Sequence, residues 1–92
     1  MKIDDTLRTR LLATIRDRLA LDAHSIVNIE SIEIDEERRE IRIRLSIETE
    51  APPSRIAEGY FGLTGRVKET LGERWGSYFP IITPSINVAR HA

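Results

Sequence analysis

Gly59-Tyr60-Phe61-Gly62-Leu63-Thr64-Gly65 is the stretch whose reading decides the fold, because a long helix is expected where it places three glycines at a spacing of three. Each glycine inside a helix costs about 1 kcal/mol relative to alanine, so three cost roughly 3 kcal/mol. Ile56, Tyr60, Leu63, Val67 and Leu71 nevertheless recur at i, i+4, i+7, i+11 and i+15, one apolar stripe running through the glycines. The stripe predicts a continuous helix that starts at Pro53 or Ser54 and stops at Gly72. Its glycines would let it lie close to the sheet, to another helix or to a second copy. The alternative is a break, with Gly62-Leu63-Thr64-Gly65 as a loop between two short helices.

Upstream of this stretch, Ala51-Pro52-Pro53-Ser54 ends whatever precedes it, since proline cannot continue a strand ladder and disfavours helix in the residue before it. Ile41, Ile43, Leu45 and Ile47 alternate without a fault against Glu40, Arg42, Arg44, Ser46 and Glu48, the pattern of a strand buried on one face only. Arg42 and Arg44 on the open face read either as a partner-binding surface or as cross-strand partners of Glu33 and Asp35. Ile26 to Ile34 is a second strand whose phase slips: Val27 and Ile29 share one parity, Ile32 and Ile34 the other. Such a slip predicts a β-bulge near Glu30-Ser31. Asp35-Glu36-Glu37-Arg38 connects the two strands as a hairpin. Before them, Leu7, Leu11, Leu12, Ile15 and Leu19 form the stripe of a first helix, capped by Asp5 or Thr6 and ending near Leu21. Arg8, Arg10, Arg16 and Arg18 give that helix a basic outer face, which reads as a solvated surface or as a track for an acidic partner.

Downstream, Pro80, Ile82, Pro84, Ile86 and Val88 share one parity within Tyr78 to Val88. A strand can hold two prolines in that phase only if the edge they face is unpaired, so this is expected to be an edge strand. The order helix, strand, strand, helix, strand over residues 1–92 makes one α+β (α/β) domain. It predicts a two-layer α-β-β-α-β sandwich, a three-stranded mixed sheet with two helices on one face. The third strand is expected beside and parallel to the first.

Composition narrows function by exclusion. The formal net charge is −1 with 32 % charged residues, so no general electrostatic attraction to nucleic acid or anionic membrane is expected. There is no cysteine for a disulfide or thiolate metal site. The polar start, Met1-Lys2-Ile3-Asp4-Asp5, and the lack of an apolar run of roughly 18–20 residues point to a soluble cytoplasmic chain without membrane insertion. The histidines, His24 and His91, are far apart, and only Asp22 lies near the first, so neither a metal nor another cofactor is expected. No serine sits in a nucleophile elbow and no phosphate loop is present, so the chain does not read as an enzyme.

Two families enter by resemblance. With the helix broken, the order helix, strand, strand, helix, Gly-x-x-Gly, helix, strand resembles the type II KH domain. That resemblance implies nucleic-acid binding through Gly62, Leu63, Thr64, Gly65, Arg66 and Lys68. With the helix continuous, Ile41-Arg42-Ile43-Arg44-Leu45-Ser46-Ile47-Glu48, Pro52-Pro53, the helix and a short strand resemble the cytoplasmic C-terminal domain of cation diffusion facilitator transporters. It implies a ferredoxin-like or metallochaperone-like topology and a homodimer. Large aromatics beside Arg74 are the chemistry of interface hot spots, so Tyr60, Phe61, Trp75, Tyr78 and Phe79 are the expected contact with a second copy or another protein. Trp75 and Phe79 read equally as the floor of a small core. Association is the favoured function at this stage, and nucleic-acid binding the alternative.

Overall fold

A computed structural model describes residues 3–88; Met1, Lys2 and the tail with Arg90 and His91 lie outside the described residues. The order is α1 (Asp5–Leu19), β1 (Ile26–Asp35), β2 (Glu40–Thr49), α2 (Pro53–Tyr60), α3 (Leu63–Leu71), a single 3-10 turn (Glu73–Trp75) and β3 (Phe79–Val88). The three strands form one mixed sheet in the order β1-β2-β3, antiparallel then parallel. The two-layer α+β arrangement is thus the expected one, but the second helix is two helices.

α1 begins one residue earlier than its expected cap. Asp4 is the N-cap, its carboxylate accepting from the N–H of Leu7 at 2.8 Å. The helix stops at Leu19 because Ala20 turns left-handed with φ 46°. β1 and β2 pair from Ile26↔Glu48 to Asp35↔Glu40, and the register shifts between Ile29 and Ser31. That bulge is what returns Ile32 and Ile34 to the face already held by Val27 and Ile29, opposite Ile43 and Ile41. The core lies between this face and α1 and α3, with Leu11, Ile15, Leu19, Ile41, Ile43, Leu45, Ile47, Leu63 and Val67 all buried.

β3 is the edge strand its prolines call for, but its neighbour is β2 rather than β1. The physical reason is visible on β1. Arg16 Nε donates to the carbonyl of Val27 at 3.0 Å and an Arg8 Nη donates to that of Ile29 at 2.8 Å. Guanidinium groups from α1 therefore take backbone acceptors of β1, and the bulge distorts its ladder. The β2–α2–α3–β3 segment instead closes as a βαβ unit in which β3 lies directly beside β2, the partner of β1. On β3 the N–H of Phe79 donates to the carbonyl of Arg39 at 2.8 Å. Odd positions thus face β2, which leaves Pro80 and Pro84 looking outward, where their missing N–H groups are harmless.

Candidate nucleic-acid interface

α2 ends at Tyr60, Phe61 (φ −65°, ψ 118°) leaves the helical region, and Gly62 turns left-handed at φ 77° before α3 starts at Leu63. The continuous helix of the sequence reading is overturned at these two residues. The apolar stripe did not reveal the break because Leu63, Val67 and Leu71 are buried in α3 and Ile56 in α2. Both helices keep their apolar faces inward on either side of the turn.

The three glycines have three different reasons to be glycine. At Gly59 an added Cβ would lie 2.8 Å from Leu19 Cδ2 and 2.9 Å from Leu19 Cα, so α2 crosses α1 in backbone contact. At Gly62 the left-handed φ is the reason. At Gly65 neither applies. It has an ordinary helical conformation, and a Cβ there would meet nothing within 4 Å. No contact inside the chain requires the missing side chain.

The turn is held from below. Arg18 donates to the carbonyl of Phe61 through Nε at 2.9 Å and through an Nη as well. An Arg55 Nη donates to the carbonyl of Ala20 at 2.8 Å and fixes the start of α2 to the end of α1. Arg66 and Arg18 line a small recess with Thr14, Asp17, Glu69 and Thr70, where the Thr14 and Thr70 hydroxyls lie 2.8 Å apart. Lys68 borders a shallow groove of about 460 Å³ along α3, together with Gly65, Gly72, Gly76, Glu69 and Glu73. No side chain caps α3, so its first N–H groups open onto the turn.

The residues expected at a nucleic-acid loop are neither in a loop nor on one surface: Leu63, Thr64, Gly65, Arg66 and Lys68 belong to α3, with Arg66 in the recess against α1 and Gly65 and Lys68 on the groove along α3. Gly62, Gly65, Arg66 and Lys68 are exposed and Thr64 half-buried, whereas Leu63 is fully buried and serves the core. Phe61, 82 % exposed, projects at the same turn.

The expected aromatic contact surface does not assemble. Trp75 and Tyr78 are buried, with ring centroids 5.3 Å apart at 71°, and the Arg39 guanidinium lies 5.6 Å from the Tyr78 ring centre. They close the core. Tyr60 is half-buried, and burial pushes its hydroxyl up to about 12. That oxygen is enclosed, with no hydrogen-bond partner among the described residues. Phe79 is 57 % exposed but starts β3 opposite Glu40, on the sheet face away from the helices. α3 separates it from Phe61.

Other candidates resolve into structure. Arg42 pairs across the strands with Asp35 at 3.3 Å and along its own strand with Glu40 at 3.2 Å. Asp22 accepts from the His24 N–H and from the Ser25 hydroxyl, as a turn residue does. Among the described residues no group of three or more His, Asp and Glu side chains could hold a metal ion, and no helix is long and apolar enough to cross a membrane.

On the helix-facing side of β3, Pro80 is buried but Pro84 is exposed and Ile86 is 46 % exposed. α3 packs on β3 and joins its start through the short connection after Leu71, so the N-terminal end of α3 points toward the uncovered half of the strand. Gly62, Gly65 and Phe61 thus stand at the end of the helical layer nearest an apolar strip. No known protein family, curated protein or solved structure matches the chain.

Proposed function

We propose that the chain is a binding module, without a chemical step of its own, that receives the backbone of a single-stranded nucleic acid at the turn from Gly62 to Arg66. The observation that carries this reading is Gly65: a helical glycine, exposed, with open space where a side chain would stand. A residue that gives up about 1 kcal/mol of helix propensity without an internal reason is accounted for by an external backbone approaching it. The break at Phe61 and Gly62, the uncapped start of α3 and the cations Arg66 and Lys68 support the same reading. So does the resemblance of the element order, with its helix broken at Phe61 and Gly62, to the type II KH domain.

The test is titration of a labelled single-stranded RNA at about 50 mM salt, where phosphate contacts are strongest. With Arg66 and Lys68 as the two contacts, the logarithm of affinity should fall with the logarithm of salt at a slope of about −1.4. Gly65→Ala should bind about tenfold more weakly or worse, a loss of about 1.4 kcal/mol, although its fold is no less stable. Absence of binding at low salt ends the reading.

A second reading, self-association, is favoured by the exposure of Phe61 and Ile86. Light scattering decides it: a dimer that Phe61→Ala dissociates supports it, and a clean monomer at high micromolar concentration removes it.

A further inference from the structure

Phe61 is the most exposed large apolar side chain among the described residues, at 82 %. Its neighbours in sequence, Ala57, Glu58, Gly62 and Gly65, are exposed and small or charged, so none of them sets a second large apolar side chain beside the ring. Nor does it sit on a loose loop. Arg18 holds its carbonyl with two donors, and the residues on either side are Tyr60, the last of α2, and Gly62, which leads directly into α3. The ring is therefore a single flat apolar surface on a fixed anchor. Protein contacts of high affinity usually bury a cluster of anchors in a well-packed centre, whereas one isolated ring beside a charged, glycine-lined surface matches a planar ligand carried on a polyanionic backbone.

We infer that Phe61 is a stacking platform for one nucleobase of the strand whose backbone passes Gly62 and Gly65. The inference rests on the nucleic-acid reading of the turn and adds its substrate class: unpaired bases, with little discrimination among them, because every base presents a π-face. A duplex, whose bases are already stacked, would not engage the ring.

The experiment compares two labelled probes of equal length, an oligouridine and an abasic oligomer with the same phosphates, against wild type, Phe61→Ala and Phe79→Ala. Loss of one stacked base weakens binding about 5- to 100-fold. Phe61→Ala should show that loss for the oligouridine and no change for the abasic probe. Phe79→Ala, which removes an exposed ring on the far face, should change neither. A Phe61→Trp variant should bind the oligouridine with quenching of its exposed indole emission, while Trp75 stays buried and unresponsive. If Phe61→Ala weakens both probes equally or neither, stacking is wrong while the turn still binds backbone. An equal loss in Phe79→Ala also overturns it, as a generic apolar effect. If wild type binds neither probe, the reading of the turn fails and the platform with it.

Discussion

Gly59→Ala tests the claim that each glycine of the turn region has its own physical cause. The new Cβ would stand 2.8 Å from Leu19 Cδ2, 2.9 Å from Leu19 Cα and 3.3 Å from the Leu19 carbonyl oxygen. Carbon atoms in good contact are about 3.5–4.0 Å apart, so relief requires a shift of at least about 0.6 Å. The Leu19 methyl can rotate away; the backbone atoms cannot. α2 must therefore lift from α1, against the Arg55 to Ala20 and Arg18 to Phe61 hydrogen bonds that tie the same ends together. Overpacking of this kind costs about 1–3 kcal/mol, offset by about 1 kcal/mol of regained helix propensity. The net expectation is a loss of up to about 2 kcal/mol, or a fall in melting temperature of up to about 16 °C for a domain of this size. Gly65→Ala is the internal control. It gains propensity with nothing to strike, so it should be more stable by up to about 1 kcal/mol. Urea unfolding followed by the emission of buried Trp75 reads both variants in one assay. A Gly59→Ala protein more stable than wild type would refute the backbone-contact argument, because the two substitutions would then have the same sign.

Tyr60→Phe removes a buried hydroxyl that has no hydrogen-bond partner among the described residues, so the variant should be as stable as wild type or more stable by up to about 1 kcal/mol in thermal melts. The same hydroxyl titrates near 12 when folded and near 10 when unfolded, so its contribution is complete below pH 10. It is lost as pH rises from 10 to 12, because the unfolded chain ionises first; a pH series should show that slope weaken in Tyr60→Phe. Arg18→Ala frees the Phe61 carbonyl from both of its donors, and hydrogen exchange at the first amides of α3 should accelerate while the sheet amides stay protected. Trp75→Ala empties the corner between Tyr78 and the core, at about 3–5 kcal/mol, a large share of the roughly 5–14 kcal/mol available to a chain of this length. An unfolding midpoint close to that of wild type would mean that the indole is not a core element.

Much of the fold was legible because periodicity and phase report burial directly. The fault-free alternation from Ile41 to Ile47 is the central strand, and the phase slip after Ile29 is the bulge, since one extra residue is the only way Val27 and Ile32 can share a face. The prolines at 80 and 84 located an edge. What failed did so for two reasons. A stripe of apolar residues records which side of a helix is buried but not whether the axis continues, and Ile56 and Leu63 stay in phase across a break made by Phe61 and Gly62. Gly62 two residues after the last helical turn was the available signal, a position that suits the left-handed conformation ending a helix. The second failure was the neighbour of β3. Pairing on β1 or β2 is equally consistent with the strand's own residues, and the choice rests on Arg8 and Arg16 reaching across from α1. Likewise, nothing local to Trp75 and Tyr78 separates an interface cluster from a core corner. Only the burial of both rings against the core, edge to face with each other, does.

These same features bear on where a partner can dock. Strand addition is disfavoured at both sheet edges: β1 carries a bulge and has backbone carbonyls engaged by Arg8 and Arg16, and β3 presents two prolines outward. On the open sheet face Arg42 is held by Asp35 and Glu40. At the turn the balance is reversed. α3 starts without a side-chain cap, Gly65 leaves space that no contact inside the chain uses, and Phe61 holds an apolar ring in solvent on a backbone fixed by Arg18. Each is individually unfavourable or neutral for folding, and they fall within five consecutive residues. A sequence shaped by stability alone has no reason to gather them there. A ligand that supplies anionic acceptors, a close backbone and a planar ring accounts for all three at once, which is why Gly65→Ala and Phe61→Ala are expected to separate binding from stability while Gly59→Ala, three residues before Gly62, is not.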